Sequence, residues 1–219
     1  MTQTRTKPRT KPRTKPRTAA AGPESAFAER FGLFAECLLT GVWIAVASLP
    51  VVTYPAAFAA GSRHLRRRTA QVGGGWREFV ADFRAAVRGG WAAGIAGWAA
   101  ALVVWVDVQA VRAGIPGGPA VGAVGLFALI GLAVAGLRAA AVWEPGASWR
   151  ELLGAAGRRT VLDPAGSFLL VGGLAVVALS AWSVPPLAVP VLGAVAAAAL
   201  AVEERAVRER AVRERGRRR

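Results

Sequence analysis

Five long apolar stretches occupy residues 31–61, 90–111, 120–137, 167–183 and 185–202, and the basic residues lie almost entirely between and beyond them. A helix needs about 20 apolar residues to cross the hydrocarbon core of a bilayer. Four of the stretches are near that length; the first runs to 31 residues and contains Pro50 and Pro55. Inside lipid the backbone must satisfy its own hydrogen bonds, which leaves helices as the spanning form for such segments. The expected class is therefore all-α: a polytopic transmembrane helix bundle.

The charge pattern sets the expected topology. The chain carries a net charge of +15, but the cations flank apolar spans, so they report orientation and affinity for anionic lipid, and no nucleic-acid partner is expected. Seven cations fall within residues 5–17, seven more between the first and second stretches, four between the third and fourth (Arg138 at its very start), and eight after Val202. Only Arg112 lies between the second and third stretches. The positive-inside bias then places both termini, residues 62–89 and residues 138–166 in the cytoplasm. The first stretch must cross twice, as a span over 31–49 and a shorter return over 50–61. The result is three helical hairpins (31–62, 90–140 and 167–202), with five to six membrane segments. The cluster Arg63, Arg66, Arg67 and Arg68 marks candidate contacts to anionic lipid headgroups.

Three regions follow from composition: a basic tail over 1–24, a transmembrane domain over 25–202 and a charged helix or tail over 203–219. The first contains Arg-Thr-Lys-Pro three times over. Proline at every fourth position blocks a helix and the cations repel, so this tail is expected to be disordered. In the last region Glu204/Arg208 and Glu209/Arg213 have the i,i+4 spacing that supports a charged helix continuing the final span. Trp76-Arg77-Glu78 and Trp149-Arg150-Glu151 each open an amphipathic segment before a hairpin. Both are expected as short helices in the cytoplasmic interface, with Trp at headgroup depth.

Candidate chemistry is sparse. The single Cys37 and single His64 leave no intrachain disulfide and no His/Cys metal pair, so no metal and no cofactor are expected. No acid pair, Ser-His or Cys-His arrangement has catalytic spacing, and no enzyme activity is expected. Pro50, Thr53 and Pro55 form the sharpest motif. Proline frees carbonyls in the preceding turn and Thr can bond to such groups. This could build a mid-membrane binding site or simply a tight turn. Asp107 is the one acid deep in the second hairpin; it reads either as a functional intramembrane carboxylate or as an interfacial group held by water or Arg112. Arg138 and Glu144 bracket the third stretch as a boundary pair. The spacings Gly90-x-x-x-Gly94 and Ala93-x-x-x-Gly97 read as generic close packing. Ala57-Phe58-Ala59 has a small-x-small pattern, but the apolar stretch before it is long for a signal core.

Leu49-Pro50-Val51-Val52-Thr53 at the end of a first span, the basic cluster over 63–68, and the run Trp76-Arg77-Glu78-Phe79-Val80-Ala81-Asp82-Phe83-Arg84 together resemble the YesL-like family of bacterial integral membrane proteins. The resemblance extends over residues 31–202. Pro55 follows Thr53 after one residue, where members of that family often carry Gly and then a later Pro. The resemblance implies a multi-pass protein of the bacterial inner membrane. It also implies an accessory role in carbohydrate uptake, with an ABC-type transporter as partner and no catalytic residues. The alternative expectation is a small transporter or channel that uses the Pro-broken first hairpin as its site.

Overall fold

The computed structural model describes residues 23–217, and every regular element among them is helical. The helices are α1 (Pro23–Ala47), α2 (Tyr54–Thr69), α3 (Trp76–Arg112), α4 (Gly118–Ala141), α5 (Trp149–Leu162), α6 (Pro164–Ser183) and α7 (Pro185–Arg217). The Arg-Thr-Lys-Pro repeats expected to form a disordered tail lie outside the described residues. Four helices are long and apolar enough to cross a membrane: α3, α4, α6 and α7. In α1 a shorter apolar segment covers Phe34–Ala47. The chain is a multi-pass membrane protein by this measure.

Packing within the bundle is inverted relative to a water-soluble core. Large side chains such as Phe127 (76% exposed), Trp105, Leu102 and Leu179 face outward, while Ala56, Ala59, Ala86, Ala139 and Ala196 are fully buried. Lipid is as apolar as Leu, so helices in a membrane gain from close backbone approach through small residues. The tightest crossing is that of α1 and α7. A Cβ on Gly193 would lie 2.9 Å from the Gly41 nitrogen and would overlap the Cys37 carbonyl.

The first stretch breaks where the prolines predict. Helix α1 stops at Ala47, a 3-10 turn covers Val51–Thr53, and α2 begins at Tyr54 with Pro55 in its first turn. Proline is tolerated there because that position needs no helical N–H bond. Thr53 Oγ1 donates to the Ala47 carbonyl at 2.7 Å, satisfying an acceptor that the end of α1 leaves open. Helix α2 then runs back along α1, so that Gly61 packs on Ile44 and Thr40, and His64 and Arg68 reach Glu36.

Helix α2 continues through the whole basic cluster to Thr69, where its guanidiniums find carboxylates on α1, α3 and the turn after α4. One expectation is corrected. Residues 76–88 are not a separate short helix but the start of α3, which runs unbroken for 37 residues. Extending a helix costs far less than nucleating a second one, and the Gly89-Gly90 pair does not interrupt it. Those two glycines instead make room for Trp149, whose Cδ1 would lie 2.8 Å from a Cβ at position 89. The second amphipathic segment does form its own helix, α5, which ends before Asp163 and Pro164.

Candidate functional site

One end of the bundle gathers the start of α1, the end of α2, the start of α3, the end of α4, α5, the start of α6 and the later turns of α7. Opposite charges interlock there in two groups.

The first group is built on α2, whose 3.6-residue repeat points Arg63, Arg66 and Arg67 toward α3 and α4, and His64 and Arg68 toward α1. Asp82 of α3 pairs in charge with Arg63 Nη1 at 3.3 Å and Arg67 Nη1 at 3.0 Å, and its Oδ1 accepts a hydrogen bond from Arg67 Nη2 at 3.4 Å. Arg66 donates to the Trp143 carbonyl at 2.6 Å and reaches Glu144 at 3.6 Å. Arg68 pairs with Glu36 at 2.6 Å, and His64 Nε2 lies 3.3 Å from the other Glu36 oxygen. The buried His64 ring meets Trp43 edge-on at 4.9 Å, beside Trp76 and Phe79. Each carboxylate of this group is occupied by a cation, so none is left as a free base.

The second group is centred on Arg138 of α4, whose side chain is fully buried. Its Nη1 donates to Glu203 of α7 at 3.1 Å. Its Nη2 donates to Asp163 Oδ2 at 2.9 Å and to Ser167 Oγ at 3.3 Å. Arg159 of α5 holds the second Glu203 oxygen at 2.6 Å. Asp163 also caps α6, accepting the Gly166 N–H at 3.0 Å. The Arg138 guanidinium first, and the Gly166 N–H second, hold the Asp163 carboxyl below the ordinary aspartate range. A buried ion pair of this kind survives desolvation only when its remaining donors and acceptors are also satisfied, as they largely are here. Three helices, α4, α6 and α7, are thereby tied at one guanidinium, and Glu203 links α5 to them through Arg159.

The structure brings together three of the four candidate site residues. Pro50, Thr53 and Pro55 form the α1–α2 turn, and that turn sits in a notch of small residues on α3. The Val52 backbone lies over Gly94, the Tyr54 hydroxyl lies over Gly97, and Trp98 Nε1 donates to the Val51 carbonyl at 3.2 Å. The glycine spacing on α3 thus has a specific occupant. Asp107 is not part of this assembly. It lies nine residues beyond Trp98, about 13 Å further along the helix, and packs against Gly125 of α4. The arginines expected to touch lipid, Arg63, Arg66, Arg67 and Arg68, all have protein carboxylates within reach, with a quarter to two-fifths of each side chain still exposed.

Sequence reasoning missed the Arg138 group. It paired Arg138 with Glu144, whereas Glu144 goes to Arg66 and Arg138 goes to Glu203 and Asp163. The available signal was Asp163-Pro164, a helix-start pattern placed next to an apolar span. Deeper in the bundle lies an apolar cavity of about 160 Å³, bounded by Phe58, Ala93, Leu137, Trp149, Val177 and Val195 among others. Among the described residues no group of three His, Cys, Asp or Glu side chains is placed to hold a metal ion. No family model, no curated protein and no solved structure matches the chain.

Proposed function

We propose that the chain is a non-catalytic accessory component of a bacterial carbohydrate-uptake system, lying in the inner membrane with both termini in the cytoplasm. The observation that carries the non-transporting part of this reading is the dispersal of the polar groups a substrate would need. The Thr53 hydroxyl is bonded to Ala47, Glu36 is held by His64 and Arg68, and Asp107 packs on Gly125. The interior cavity is bounded by apolar side chains. A sugar site needs several convergent donors and acceptors. A transporter built on the broken first hairpin has less support, because the Thr53 hydroxyl is bonded to Ala47 and the Val51 carbonyl to Trp98.

The finer topology belongs to the same proposal: three hairpins, α1/α2, α3/α4 and α6/α7, with their charged ends on the cytoplasmic side. Antiparallel packing supports it, with Gly118 against Val111 and Gly173 against Val195. The basic residues at that end supply the orientation. The carbohydrate link is supported by the resemblance carried by residues 49–53 and 76–84 to the YesL-like family.

The test is cross-linking of the tagged chain in native membranes, followed by identification of what is attached. Recovery of permease subunits of an ABC-type sugar importer is the expected result. Recovery of none, together with saturable sugar flux into vesicles holding only this chain, would replace the accessory reading with the transporter one.

A further inference from the structure

A groove between α3 and α5 is basic at its mouth and apolar along its floor. Arg88 of α3 lines the mouth, together with Ser148 and Arg150 where α5 begins. The groove encloses about 820 Å³. It shares Ala93, Ala96, Trp149 and Leu153 with the apolar cavity described above, so the two lie side by side.

The charge at this mouth is uncompensated. Arg63, Arg66, Arg67, Arg68, Arg138 and Arg159 each have a carboxylate partner. Arg88 and Arg150 are exposed and take part in none of the ion pairs or hydrogen bonds among the described residues. Ser148 stands at the start of α5 but its hydroxyl makes no capping bond, so it too is free to donate. Two unpaired guanidiniums and a free hydroxyl thus stand over an apolar channel. Along α3 the floor is formed by Gly89, Ala92, Ala93 and Ala96. From Arg88 to Ala96 the helix rises about 12 Å, which carries the channel from the interface to hydrocarbon depth.

We propose that this groove is a selective site for one anionic phospholipid of the surrounding bilayer. The phosphate and headgroup sit against Arg88, Arg150 and Ser148, and an acyl chain lies along the small-residue floor toward the interior cavity. Charge complementarity identifies the occupant, since basic pockets between helices take anionic headgroups. A zwitterionic lipid brings its own cation to a mouth that already has two. A soluble phosphate gains nothing from the floor. The proposal goes beyond the accessory reading and does not depend on it. It also moves the lipid contact away from Arg63–Arg68, whose charges the protein has largely neutralised.

The test is native mass spectrometry of the full chain in detergent, titrated separately with phosphatidylglycerol and phosphatidylcholine. One phosphatidylglycerol should be retained at a concentration about tenfold lower than phosphatidylcholine, from two cations near an anionic headgroup. The double variant R88Q/R150Q should lose that preference. R77Q/R158Q, which removes the same charge outside the groove, should keep it. Ala96→Phe, at an exposed helix position on the floor, should weaken retention of both lipids while a thermal scan confirms an intact fold. Equal retention of the two lipids by the unmodified chain would overturn the proposal. So would a preference that survives R88Q/R150Q, or one lost equally in R77Q/R158Q. Displacement of the lipid by inorganic phosphate as readily as by phosphatidylglycerol would show that the floor contributes nothing, and would equally overturn it.

Discussion

Arg138 and Glu203, 65 positions apart in the chain, meet at 3.1 Å with side chains 0% and 4% exposed. The pair fixes the end of α4 against α7. Through Asp163 and Ser167 the same guanidinium also fixes the start of α6.

Removing one partner of a buried pair strands the other, which costs about 3–5 kcal/mol. Arg138→Met should therefore lower the unfolding midpoint in detergent sharply. Combining it with Glu203→Leu should recover part of the loss, because the Glu203 carboxylate, left half-paired with Arg159 as its one remaining cation, is then no longer buried there. A double variant as unstable as the single one would count against this account.

Asp163 gives a pH dependence of definite sign. Its folded-state pKa lies below the ordinary aspartate value of about 3.9, because Arg138 and the Gly166 N–H favour the ionised form. The stabilisation is therefore complete above that value and disappears as pH falls through the lower, folded-state pKa. Thermal scans between neutral and strongly acidic pH should show this acid loss. Asp163→Asn should flatten that part of the curve while lowering stability at neutral pH.

Glycine substitutions should divide by location. Gly193→Ala and Gly94→Ala each push a methyl into the backbone of another segment, Cys37 and Val52 respectively. Each should cost about 1–3 kcal/mol as overpacking. Gly172→Ala meets nothing within 4 Å and should instead stabilise α6 by up to about 1 kcal/mol through helix propensity. Melting temperatures of the three variants measure the contrast.

The bundle geometry also makes a topological prediction. In a Cys37→Ala background, single cysteines at Thr69, Arg158 and Arg208 should react with a membrane-impermeant maleimide from one side of the membrane. Cysteines at Ile115 and Trp182, both exposed at the other end, should react from the opposite side, and one at Leu49, beside the turn seated on the middle of α3, should not react. Labelling of Thr69 and Leu49 from the same side would break the α1/α2 hairpin.

The helical class and the four long spans were legible from runs of apolar residues, and the first break from Pro50. These are local signals: each depends on residues within a few turns of one another. The seat of that break was not legible. Gly94 and Gly97 looked like chance in an Ala/Gly-rich chain until Val52 and Tyr54 were found above them. The Arg138 group was hidden for a different reason. Arg138 has Glu144 six residues away, and nothing local indicates that Asp163 and Glu203 will arrive from two other helices. The Arg63–Arg68 cluster was visible as charge, but its neutralisation depends on Asp82, Glu144 and Glu36 on three different segments.

The crossing of α1 and α7 at Gly41 and Gly193 makes these two helices neighbours, and this has a consequence for biogenesis. A chain inserted from its N-terminus holds α1 against α2 and, through Trp43, the start of α3 until α7 has left the ribosome. Until then the Gly41 face of α1 has no helix against it, and Arg138 lacks the Glu203 carboxylate. Closure of the bundle thus waits on the arrival of α7. Substitutions at Gly193 or Glu203 should appear first as chains cleared by membrane proteases during assembly, before any defect is seen in the finished protein.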